Sequence, residues 1–94
     1  MSVDVRVPTV LRKHTDGERV VKAEGSTVAA VIEDLERVYP GLQGELRGDD
    51  GALRQFVNIY VNDEDIRYLN RLDTQINPGD ELAILPAVAG GGGG

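Results

Sequence analysis

Gly25-Ser26-Thr27-Val28-Ala29-Ala30-Val31-Ile32-Glu33-Asp34-Leu35-Glu36-Arg37-Val38-Tyr39-Pro40-Gly41 is the stretch that decides the architecture. Val28, Val31, Ile32, Leu35, Val38 and Tyr39 recur at spacings of three and four, so a helix gathers them into one apolar stripe. Glu33, Asp34, Glu36 and Arg37 fall on the opposite, solvated face. Gly25-Ser26 breaks the chain before the helix, and Ser26 or Thr27 can accept a hydrogen bond from a free amide of its first turn. Tyr39-Pro40-Gly41 stops it, because a residue that precedes proline avoids the α region. This is the dominant helix, and the remaining elements must cover its apolar stripe.

Upstream, Val3-Asp4-Val5-Arg6-Val7 alternates apolar and polar residues, the period of a strand with one buried face. Pro8 has no amide hydrogen to donate and suits the strand's end. Thr9 to Gly17 read as a polar turn in which Asp16-Gly17 is a strong hairpin signal. Glu18 to Glu24 then return antiparallel to the first strand.

Downstream, Leu42 to Leu46 suit a short helical turn, and Gly48-Asp49-Asp50-Gly51 a solvated loop. That loop lacks the further spaced carboxylates that calcium requires. Phe56-Val57-Asn58-Ile59-Tyr60-Val61-Asn62 is a strong strand, Asn62-Asp63-Glu64-Asp65 a solvated turn, and Ile66-Arg67-Tyr68 a short strand. Leu69, Leu72 and Ile76 are apolar points in a polar connection. Asn77-Pro78-Gly79-Asp80 places proline and glycine where a type II turn requires them. Glu81-Leu82-Ala83-Ile84-Leu85 is the final strand. The order β-β-α-β-β-β gives one helix over one face of a small mixed sheet, an α+β arrangement. It matches the β-grasp, the ubiquitin-like roll, over residues 1–87, with residues 88–94 as a flexible glycine tail.

Composition narrows the function classes. Ninety-four residues form one small core without room for an internal active site. With no cysteine and the single histidine His14, the chain has no thiolate nucleophile, no disulfide and no His-based metal site or dyad. It is therefore not expected to be an enzyme on its own, nor to bind a cofactor or metal itself. A net charge of -6 repels nucleic acid and suits docking onto a basic protein surface. No apolar run reaches the length of a membrane span and no signal peptide precedes the first strand, so the expected location is cytoplasmic.

The chain ends Leu85-Pro86-Ala87-Val88-Ala89-Gly90-Gly91-Gly92-Gly93-Gly94. Glycine has no Cβ, so such a tail is narrow enough to thread a tight channel. On composition alone the favoured reading is a linker or a fusion remnant. The longer stretch from Pro78 to Gly91 resembles the C-terminus of the bacterial sulfur carriers, the ThiS/MoaD ubiquitin-like family with its CysO-like members. There a Gly-Asp turn opens a last strand that ends in Pro-x-Val-x-Gly-Gly. The resemblance extends to Phe56–Arg67 and to Val7-Pro8-Thr9-Val10-Leu11-Arg12, about half the chain in separate elements.

The resemblance implies a carrier of sulfur. An E1-like adenylating enzyme of the MoeB/MoeZ type would activate the C-terminal carboxylate with ATP and magnesium, and sulfur would replace the AMP to leave a thiocarboxylate. A sulfur-accepting synthase would take that sulfur for cysteine, with pyridoxal phosphate, or for a thiosugar. A JAMM-type zinc metalloprotease would release the product. ATP, zinc and pyridoxal phosphate would all be held by partners. The same family features also fit a ubiquitin-like modifier conjugated to lysines, and a MoaD-type subunit of molybdopterin synthase.

Gly91, with Gly90 beside it, is the expected sulfur-carrying terminus. Gly92, Gly93 and Gly94 depart from the family pattern: they are an extension foreign to the natural chain, a segment that a protease trims, or a longer competent tail that moves the carboxylate to Gly94. From Pro86 to Gly91 an extended chain reaches on the order of 20 Å. Leu85, Pro86, Ala87, Val88 and Ala89 are the expected docking residues. Leu85 should face outward beside the tail if Leu82 and Ile84 face the core. Arg12 could meet a partner's acidic patch. Phe56 and Tyr60 share one strand face and read as ordinary core; His14 reads as a loop residue without catalytic duty, and Asp63-Glu64-Asp65 as a solvated turn.

Overall fold

A computed structural model describes residues 2–55 and 57–86. Its strands are β1 (Ser2–Arg6), β2 (Val20–Glu24), β3 (Val57–Val61), β4 (Glu64–Asp65) and β5 (Glu81–Pro86), and its one α-helix is α1 (Val28–Val38). They form a single sheet in the order β2-β1-β5-β3-β4. The last strand lies at the centre, parallel to β1 and antiparallel to β3, with Val5 opposite Leu82 and Ile84 opposite Ile59. A mixed sheet with one helix across one face is the β-grasp expected from the element order.

The alternation read from the sequence sets which residues point inward. Val3, Val5, Val21, Ala23, Ile59, Val61, Leu82 and Ile84 are buried on the helix side of the sheet. They meet Val28, Val31, Ile32 and Leu35 of α1 in one core. Thr27 is the helix cap, its hydroxyl accepting from the Ala30 N–H at 3.1 Å. Gly25 precedes it for a steric reason, since a Cβ there would lie 2.7 Å from the backbone nitrogen of Val31. Asp34 ties the helix to the sheet by accepting the Glu24 N–H at 3.0 Å. That bond, followed by the one from Arg37, holds its carboxyl below the ordinary carboxylate range.

Several local expectations need correction. Thr9–His14 is a 3-10 helix that buries Leu11, so the first hairpin loop is not wholly polar. Its reversal is at Asp16 and Gly17, both with positive φ, where the Glu18 N–H closes the turn on the Thr15 carbonyl at 2.9 Å. Pro40–Leu42 is also 3-10, and Leu42 and Leu46 are buried. The chain thereby folds back along α1, covers Glu36, and lets Arg47 Nη2 donate to Glu36 Oε1 at 2.5 Å. Glu36 is therefore buried, whereas Val38, placed on the apolar stripe, is exposed. The return of the chain over one flank of the helix decides this, and periodicity does not encode it.

The second hairpin turns earlier than expected. Asn62 and Asp63 take φ of 50° and 72°, a left-handed pair that Asn and Asp tolerate, so Val61 pairs directly with Glu64. The short strand is consequently Glu64–Asp65, and Ile66–Tyr68 is a 3-10 helix rather than a strand. Asn77–Asp80 closes as read, with the Asp80 N–H on the Asn77 carbonyl at 3.0 Å and Gly79 at φ 89°.

Candidate docking site at the root of the C-terminal tail

β5 pairs with β1 as far as Ala83 and with β3 as far as Pro86, so β3 alone flanks its exit, and its register composes the surface around that exit. Tyr60, Ala83, Arg6 and Val20 stand in one row across the sheet, on the face turned away from α1. One step further along β5 is Leu85, opposite Asn58 and 45% exposed, while Leu82 and Ile84 are buried at 0% and 2%. Leu85 thus faces outward at the last described turn of the strand. Pro86 continues the pairing opposite Val57.

Tyr60 does not belong to the core. Ile59 and Val61 are the buried residues of β3, and strand parity puts Tyr60 on the other face, half-buried. There it lines an open groove of about 520 Å³ with Arg6, Pro8, Arg12, Asp63 and Leu85. Arg12 is fixed at the groove's edge, since its Nε donates to the Val7 carbonyl at 3.1 Å. A second cavity of about 360 Å³ shares Arg6 and Arg12 and adds Arg19 and Val20. The sequence reading singled out Arg12 and Leu85 but missed Arg6, Arg19 and Val20. The hairpin register that aligns Arg6 with Val20, and the Val7 N–H with the Arg19 carbonyl at 2.8 Å, is what unites them.

The other singled-out residues lie elsewhere. His14 packs against Gly41, and its Nε2 is buried 3.9 Å from Glu45 Oε1 without a hydrogen-bond partner among the described residues. Asp50 accepts the Ala52 N–H within its own loop. Asp65, expected to be solvated, is 7% exposed and its carboxylate takes several bonds from Arg67, the shortest 2.7 Å. Arg67's guanidinium, followed by its backbone N–H, holds the Asp65 carboxyl below the ordinary range. Asp80 is held low by the Asn77 N–H and then by the Asn62 side-chain amide.

Among the described residues no group of three or more His, Asp or Glu could hold a metal ion. No helix there is long and apolar enough to cross a membrane. Phe56, Ala87, Val88, Ala89, Gly90, Gly91 and the final glycines to Gly94 lie outside the described residues, as does the boundary drawn between residues 87 and 88.

Comparison with known proteins gives the frame for this surface. The ThiS family model matches residues 5–91. The chain belongs to the ThiS family. Within it, the chain is 53% identical over 93 residues to the sulfur carrier protein CysO of Mycobacterium tuberculosis, across 97% of this chain and all of that protein. Its fold superposes with a TM-score of 0.87 on a chain of the Amycolatopsis orientalis BexX/CysO complex, at 46% identity, covering 94% of this chain and 98% of that one. The small archaeal modifier protein 3 of Haloferax volcanii is 35% identical over 68 residues, 72% of this chain and 73% of that protein. As a ThiS-family β-grasp, the chain shares its fold with the CysO structure it superposes on.

Proposed function

We propose that this protein is a CysO-type sulfur carrier whose C-terminal carboxylate, at Gly91 with Gly90 beside it, is the working group. The observation that carries the reading is the family match itself, which spans nearly the whole chain and ends at Gly91, the second glycine of the pair. The chain has no cysteine, so its terminus is the group on which it can carry transferable sulfur.

A carboxylate is a poor acyl donor. An E1-like enzyme with ATP and magnesium joins it to AMP and releases pyrophosphate, and a sulfur nucleophile then displaces AMP to leave a thiocarboxylate. The thiocarboxylate gives its sulfur to a synthase that makes cysteine or another sulfur metabolite such as a thiosugar. A JAMM-type zinc protease would free a product that remains joined to the carrier. Those catalytic centres belong to the partners; the carrier contributes its terminus and a docking face. That a CysO is held in a complex with BexX supports docking of the folded body on another protein. The outward Leu85 and the grooves beside it are where such a partner would rest.

The similarity to small archaeal modifier protein 3 favours a second reading, in which the same activated terminus is joined to a lysine of a target protein. Intact mass of the protein from its native host separates the two. Termination at Gly91, with a fraction heavier by the difference between sulfur and oxygen, is the outcome expected of the carrier. Isopeptide-linked adducts without that heavier species would indicate the modifier. A chain ending at Gly94 that stays unchanged with activating enzyme, ATP and sulfide would remove both.

A further inference from the structure

The net charge of -6 hides a local reversal of sign. Arg6, Arg12 and Arg19 converge on one cavity of about 360 Å³, whose other lining residues are Val7 and Val20. Among the described residues no carboxylate lines it. Arg6 pairs there with one carboxylate, Glu81 at 3.4 Å, and with side chains 65% and 45% exposed the pair is screened by solvent and does little to neutralise it. Among the described residues neither Arg12 nor Arg19 has a carboxylate within ion-pair distance. Arg12 is instead oriented by its bond to the Val7 carbonyl, which leaves the rest of its guanidinium fork for an outside acceptor. Three arginines lining one cavity give it a positive charge that an external anion would complement. The cluster also runs without a break, through Arg6 and Arg12, into the groove that ends at Leu85.

We infer that the Arg6-Arg12-Arg19 cluster is the charged half of the docking face and receives an acidic segment of the enzyme that takes up the tail, with aliphatic side chains of that segment covering Val20 and Leu85. The partner surface is therefore acidic where this face meets it, the opposite of what the overall charge suggests. This rests on the carrier reading for the identity of the enzyme, but not for the chemistry of the segment. Guanidinium groups pair with carboxylates through two parallel hydrogen bonds, which fixes orientation as well as proximity. A face that is basic near the tail root and acidic elsewhere would also orient the approaching carrier with its terminus forward. Among the described residues the carboxylate that lines the adjoining groove is Asp63.

Two measurements on the full-length chain test this separately. In the first, the labelled protein is titrated by NMR with two synthetic peptides of equal length and aliphatic content, one rich in Asp and Glu, the other in Lys and Arg. The acidic peptide should shift the amides of Arg6, Arg12, Arg19 and Leu85, and the basic peptide should not. Arg19→Glu, at an exposed side chain that makes no hydrogen bond among the described residues, should abolish the shifts while the remaining spectrum stays native; Arg12→Gln should weaken them. Equal response to both peptides, or shifts that survive Arg19→Glu, would overturn the inference. In the second, carrier-dependent ATP–pyrophosphate exchange by an E1-like adenylating enzyme should show kcat/KM about tenfold lower for Arg19→Glu at low salt, the gap closing as ionic strength rises. Exchange that is equal for variant and wild type sinks the inference and leaves the carrier reading intact. If the wild-type protein supports no exchange, the carrier reading falls, and the peptide titration alone decides the chemistry of the cluster.

Discussion

Asp65 shows how much one side chain can fix. It ends β4, accepts the Arg67 N–H at 2.8 Å, and takes the Arg67 guanidinium on the same carboxylate, which starts the 3-10 turn that buries Ile66. Its pKa is lowered on folding, as are those of Asp34 and Asp80. A lowered folded pKa stabilises fully above the unfolded value, near 4, and the contribution is lost as pH falls through the folded value. The unfolding free energy should therefore be flat near neutrality and drop below about pH 4. Asp65→Asn should be less stable at neutral pH and show a shallower acid decline, as read from urea midpoints across that window; a decline as steep as wild type would contradict this account. Gly25 is a second residue with a sharp requirement. Gly25→Ala drives a Cβ toward the Val31 backbone nitrogen, which cannot move without unwinding the first helical turn. We expect a loss of about 1–3 kcal/mol in denaturant unfolding.

At the scale of elements, α1 and its cap were legible because their signals are local: a 3.6-residue stripe, Thr27, and Pro40. Thr27→Ala should cost about 1 kcal/mol through the lost bond to the Ala30 amide. Leu35→Ala, at a site 1% exposed between helix and sheet, should cost about 2–5 kcal/mol. Both are read from equilibrium unfolding, and the reverse ranking would mean that the cap, not the core, anchors the helix. The inward faces of β1 and β5 were legible for the same reason, since Val3, Val5, Leu82 and Ile84 follow strict parity. What was not legible depends on register and chain return. Tyr60 read as core because an apolar strand gives no sign of which parity faces the helix, until Ile59 is fixed opposite Ile84. The short β4 was misplaced because two polar residues, Asn62 and Asp63, make the whole turn. Of the candidate site, Leu85 and Arg12 were visible singly. The arginine cluster was not, because Arg6 and Arg19 meet only once β1 and β2 pair.

At the scale of the whole molecule, placing the last strand in the middle of the sheet separates stability from function. Leu82 and Ile84 serve the core, while Leu85, one residue later, turns outward into the groove that Arg6 and Tyr60 also line. The fold thus holds the point from which the terminus departs by pairing to β3, just beyond the last β1 pair at Ala83, and surrounds it with surface that the core does not need. A substitution on that surface should therefore change partner use without changing folding. Leu85→Thr keeps a strand-forming, uncharged side chain, so its unfolding free energy should stay within about 0.5 kcal/mol of wild type. Its kcat/KM in exchange with an adenylating enzyme should nevertheless fall about tenfold, the effect of removing a contact worth over 1 kcal/mol at an interface. Deleting Gly90 to Gly94 should abolish the exchange, whereas deleting only Gly92 to Gly94 should preserve it if Gly91 bears the reacting carboxylate. Exchange that is lost on removal of the last three glycines would move the reacting group to Gly94. Exchange unaffected by Leu85→Thr would mean that recognition resides in the tail alone, with the folded body serving only to carry it.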